Sequence, residues 1–152
     1  MLPLLLCCFL CTRLQAQHVE SDRIQYVEVH AMDPHVVETF ARVGKEEIIH
    51  DNGLFHRRIT GRKEIDRICG LWNRLQVSSA DSAAGTSVRM VLRLIDTAGG
   101  VTDAELGNMY TQEIVADGRY CQPNQEFYKL VLGYLPGRWR KGADPLNPFH
   151  IK

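Results

Sequence analysis

The 152-residue chain has no excess of charge: 18 basic residues face 18 acidic ones. A nucleic-acid binder needs a basic field, so neutrality excludes that class. Long apolar runs are scarce. One occupies residues 2–10 and none follows. It is far shorter than the roughly 20 apolar residues that span a bilayer, so no transmembrane segment is expected in the mature chain. Beyond residue 17 there is no H-E-x-x-H, C-x-x-C or G-x-S-x-G, which removes the common zinc-hydrolase and serine-hydrolase signatures. Internal repeats and low-complexity tracts are absent as well. The 45% apolar content excludes a disordered chain.

The first apolar run ends in polar Thr12, Arg13 and Gln15 and in small Ala16. Apolar core, polar tail and small residue read as a secretory leader over residues 1–17, cleaved near Ala16 or Gln17. Cys7, Cys8 and Cys11 lie in or beside that run. Metal or redox work would need them on a folded, polar scaffold. A lipid-attachment cysteine follows a small residue, and Leu6 and Leu10 are not small. These three thiols are therefore expected to leave with the leader. An α+β globular domain over 18–136 and an irregular tail over 137–152 should remain, exported to the periplasm or the cell exterior. There, Cys69 and Cys121 are a candidate disulfide. Two buried free thiols are the alternative.

Residues 24–32, rich in β-branched and aromatic side chains, read as a strand. Asp33, Pro34 and Gly44 bracket a helix over 34–43. Asn52 and Gly53 signal a two-residue hairpin with strands at 47–50 and 54–59. Residues 60–76 form the clearest helix, with Ile65, Ile68, Cys69, Trp72 and Leu75 on one face. Gly70 inside it suggests close packing against a sheet. In the strand from Val88, the residues Val88, Met90, Leu92 and Leu94 share a core face, with Arg89, Val91, Arg93 and Ile95 opposite. Thr97 to Gly100 turn the chain. Two more two-residue turns, at Gly107–Asn108 and Asp117–Gly118, complete a meander. A last helix begins near Asn124 and buries Phe127, Leu130, Val131 and Tyr134. The fold class expected is α+β: a single domain with a mainly antiparallel sheet, a hairpin plus a meander, and two or three helices packed on it.

Six histidines (His18, His30, His35, His50, His56, His150) raise the question of a metal. A tight turn at Asn52 and Gly53 would pair Ile49 with His56 and send His50 and His56 to opposite faces. His30, Asp33 and His35 meet only at a strand-to-helix junction. Glu46 and Glu47, as strand neighbours, face opposite ways and make no acid/base pair. Ser78, Ser79, Ser82 and Ser87 crowd a polar loop. Trp139, within the cationic stretch 137–141, is expected to pack back on the domain. No catalytic, cofactor-binding or metal residues are assigned, and no cofactor is expected.

The carriers of a resemblance are Ile59–Thr60, Ile65, Ile68, Leu71–Trp72, Gly107–Asn108, Asp117–Gly118, Tyr120 and Phe127. In this order they resemble small exported or lipid-anchored α+β domains from Gram-negative envelopes of Bacteroidota type. The likeness covers residues 24–135 and implies no catalytic residues. The function expected is a non-catalytic binding or accessory domain whose partner is an unknown protein or envelope component. An inhibitor or immunity-type protein, and a small hydrolase or metal-dependent enzyme, are the rivals.

Overall fold

In the computed structural model, residues 16–35, 42–51, 54–79 and 87–140 are described. Alternation in the first strand, β1 (Ile24–Ala31), builds both sides of the sheet. Val27, Val29 and Ala31 are fully buried on the inner face, while Tyr26, Glu28 and His30 point the other way. β1 pairs antiparallel with β2 (Phe55–Ile59) on one side and β3 (Met90–Asp96) on the other. β4 (Val101–Leu106), β5 (Ile114–Ala116) and β6 (Arg119–Tyr120) extend the sheet, giving the order β2-β1-β3-β4-β5-β6. All pairings are antiparallel.

Two helices cover the inner face. α2 (Arg62–Trp72) buries Ile65, Ile68, Cys69, Leu71 and Trp72. α3 (Gln125–Gly133) starts at Asn124, whose side chain accepts from the Phe127 N–H at 3.0 Å. Phe127, Leu130, Val131 and Tyr134 join α2 and the sheet in one core, as their spacing predicts. Trp72 packs edge-on to Phe127, ring centroids 6.1 Å apart, and its indole N–H donates to the Gln17 carbonyl at 2.9 Å. Asn73 clasps Val19 through both main-chain groups. Ala16 and Gln17 thus lie against the end of α2, Ala16 donating its N–H to the Leu75 carbonyl. Residues 1–15 lie outside the described residues.

Several expectations change. Residues 47–50 are not a strand: they belong to α1 (Lys45–His50), which crosses the outer face. The Glu47 carboxylate accepts from the Gly44 N–H at 2.7 Å and fixes the first turn. Ile48 then packs with Val88 and Val91 in a second, smaller core. Val88 precedes β3, so strand alternation does not reach it and it packs away from Met90, Leu92 and Leu94. Arg89 is buried and donates to the Ser87 hydroxyl and the Val88 carbonyl. The Gly107–Asn108 turn is longer than two residues. The Asn108 carboxamide oxygen accepts from the Tyr110 and Thr111 N–H groups, which sets a broad connection between β4 and β5. The Asp117–Gly118 turn does form, with φ of 50° and 71° matching the hairpin type with two left-handed residues.

Gly70 is exposed, with nothing near where a Cβ would lie, so no close packing explains it. The segment from Gly137 opens with a short helix, α4 (Gly137–Arg140), whose Trp139 packs on Phe55. Cys69 and Cys121 are free, buried thiols and form no disulfide. Cys69 lies in the helix-facing core, where burial pushes its thiol up to about 11. Cys121 is held by a bridge to Val77. The helix expected over 34–43 falls largely outside the described residues, as do the Asn52–Gly53 turn and residues 141–152. Among the described residues no helix is long and apolar enough to cross a membrane.

Candidate functional site

Polar side chains on the outer face of a sheet meet according to strand register. Here the register aligns Arg58 of β2, Glu28 of β1, Arg93 of β3 and Asp103 of β4 in one row, with charges alternating across four strands. The neighbouring row holds His56, His30, Val91 and Glu105. Directly opposed positions on antiparallel strands bring side chains into contact, and the imidazoles of His30 and His56 stack with centroids 4.5 Å apart.

Glu28 is the hub. One oxygen accepts from Arg58 Nη2 at 2.9 Å and lies 3.7 Å from His56 Nε2. The other lies 3.4 Å from His30 Nε2 and 3.7 Å from Arg93 Nη1. Glu28 and His30 are only 8% and 9% exposed, whereas the His56 and Arg58 side chains are about half exposed. The guanidinium of Arg58 lies over the Tyr26 ring, 4.2 Å from its centroid. Burial pushes the Glu28 carboxyl up, but hydrogen bonds from Arg58 and His30 outweigh it and hold the group below the usual carboxylate range. Burial lowers the His30 value, with His56 and Arg93 acting in the same direction and Glu28 against them. At neutral pH the hub is therefore a carboxylate beside a neutral imidazole.

At the other end of the row, Lys45 of α1 reaches Asp103 at 3.3 Å and Glu105 at 3.8 Å. A cleft of ≈ 230 Å³ opens beside the N-terminal segment, lined by Gln17, His18, Arg23, Asp96 and Thr102 among others. Among the described residues, no group of three metal-ligating side chains lies in it.

The remaining sequence candidates scatter. His50 is exposed on α1 and pairs with Glu46 at 3.2 Å. His35 reaches the Trp139 carbonyl at 3.0 Å on the inner side of β2, and the Asp33 carboxylate accepts from the His35 N–H. His30, Asp33 and His35 therefore do not gather. His150 and Ser82 lie outside the described residues. The pairing of His30 with His56 was missed. Alternation alone marks His30 and His56 as outward-facing, but only the β1–β2 register puts them opposite one another. No family model matches the chain, and neither the curated proteins nor the solved structures give a match. The chemistry of the side chains carries the functional argument.

Proposed function

We propose that the protein is an exported, non-catalytic binding or accessory domain that works through the outer face of β2, β1 and β3. The observation that carries this reading is the state of Glu28. It is buried and bracketed by Arg58 and Arg93, and hydrogen bonds from Arg58 and His30 favour its charged form. General acid–base work needs a group that exchanges its proton near the operating pH, and Glu28 is held away from that range. Its cross-strand neighbours Arg58 and Arg93, and those of His30, His56 and Val91, include no serine, threonine or cysteine. What the row offers is a fixed display of donors around one anion, suited to recognising a mixed-charge protein or envelope component. Its alternating signs do not suit nucleic acid.

A photo-crosslinking residue in place of Arg58, in the native host, tests this. The expected outcome is a discrete adduct in the envelope fraction, with no such adduct from exposed Arg67 on α2. Adducts of equal yield from both positions, or none from position 58, would sink the reading. So would a hydrolytic activity that Glu28→Gln abolishes.

A further inference from the structure

Glu28, His30 and His56 each offer one metal-ligand atom, and the three atoms all lie within 4.8 Å of one another. The shorter contacts divide between the two carboxylate oxygens: Oε2 lies 3.4 Å from His30 Nε2 and Oε1 lies 3.7 Å from His56 Nε2. A tetrahedral cation with bonds of about 2.0–2.1 Å separates its ligands by about 3.4 Å. The set is thus close to a chelating geometry. Bringing both imidazoles onto one cation therefore takes a small rotation of the Glu28 carboxylate and of His56, the more exposed of the two rings. We propose that Glu28, His30 and His56 bind one first-row divalent transition cation, with zinc as its probe. This rests on the reading of the outer face as the binding surface and names a ligand for it.

Two imidazoles and one carboxylate form a borderline-soft donor set. It suits zinc, copper(II), nickel or cobalt, and it does not suit calcium or magnesium, which favour six or more oxygens. The backbone holds the donors in place. Both histidines stand on adjacent strands, and β1 is hydrogen-bonded on both sides. Three protein ligands leave a fourth position for water or for a group on a partner. The two arginines oppose the cation. A carboxylate has about four lone-pair sites, so Glu28 can keep its Arg58 contact and still ligate. The positive charge of Arg58 nevertheless repels the metal across a few ångströms. Removing that charge should therefore tighten binding, a sign that an adventitious surface histidine would not give.

The test is zinc titration of the untagged protein in competition with a chromophoric chelator, alongside visible absorption of the cobalt(II) form. One equivalent should bind, and cobalt should show the intense bands of a four- or five-coordinate site. His56→Ala, at an exposed position that leaves the core untouched, should weaken binding about tenfold or more. His50→Ala should leave it unchanged and Arg58→Gln should tighten it. No saturable binding, equal affinity in His56→Ala, loss in His50→Ala, or weakening in Arg58→Gln would each overturn the proposal. A crosslink from position 58 without zinc binding would remove the metal and leave the binding face standing. Zinc binding without any crosslink would do the reverse.

Discussion

Gly70 occupies the middle of α2 with open space where a Cβ would lie. Glycine in a helix interior is less favourable than alanine by up to about 1 kcal/mol, and nothing in the packing offsets that. Gly70→Ala should raise the thermal midpoint, read by calorimetry, with the fold unchanged. Glu105 presents the opposite situation, a charge held at some cost. Burial pushes its carboxyl above the ordinary value of 4.5; Lys45 pulls it back, while Asp103 and Glu46 push it further. A folded value above the unfolded one means the folded state favours the proton. The stability Glu105 contributes is then fully present below the unfolded value and lost as pH rises through the folded one. Glu105→Gln should accordingly stabilise the protein at neutral pH and give no gain in acid below the unfolded value. Denaturant midpoints at the two pH values check this, and a gain confined to the acid side would refute it.

At the scale of the element, caps decide where helices start. Asn124 supplies the one side-chain acceptor at the start of α3. Asn124→Ala should destabilise the protein by about 1 kcal/mol, measurable as a shift in urea midpoint without a change in slope. α2, α3, β1 and β3 were legible in the sequence because each repeats its apolar period long enough to be distinguished. The six residues of α1 were not. Ile48 and Ile49, adjacent and β-branched, suit a strand by propensity, and only Ile48 is buried. What selects the helix is the Glu47 contact to Gly44 and a small core supplied by Val88 and Val91, far away in sequence. Asn108 misleads for a related reason. Beside Gly107 it looks like a tight turn, but its side chain binds two main-chain N–H groups and widens the loop.

Across the whole molecule, Trp72 joins three parts: α2, the Phe127 ring of α3 and the segment at Gln17. It is fully buried. Trp72→Ala should cost about 3–5 kcal/mol, a large share of the roughly 5–15 kcal/mol typical of a domain. An unchanged thermal midpoint would show that these parts are not coupled through the indole. The candidate site belongs to this scale too. Neither His30 nor His56 lies in a motif, and each alone reads as a surface residue. Their meeting depends on which strand pairs with β1 and in what register, a property of the assembled sheet that local periodicity does not encode.

The position of β1 between β2 and β3 also sets an order of events in time. β3 through β6 join neighbours in sequence, so each pairing closes a short loop. β1 must wait for β3, which is separated from it by β2, both intervening helices and the polar loop. Closing that long loop carries an entropic penalty that the local hairpins avoid, and such non-local pairing slows folding. The nucleus should therefore form around the β3–β4 turn, where the Asp96 carboxylate accepts from the Ala98 and Gly100 N–H groups at 2.8 Å. Kinetic φ-values should be high for Asp96→Ala and low for Val29→Ala; the reverse pattern would place β1 in the nucleus. A chain that crosses a membrane with its N-terminal end leading would deliver β1 first. β1 would then stay unpaired until β3 followed, leaving the cluster around Glu28 among the last features to assemble.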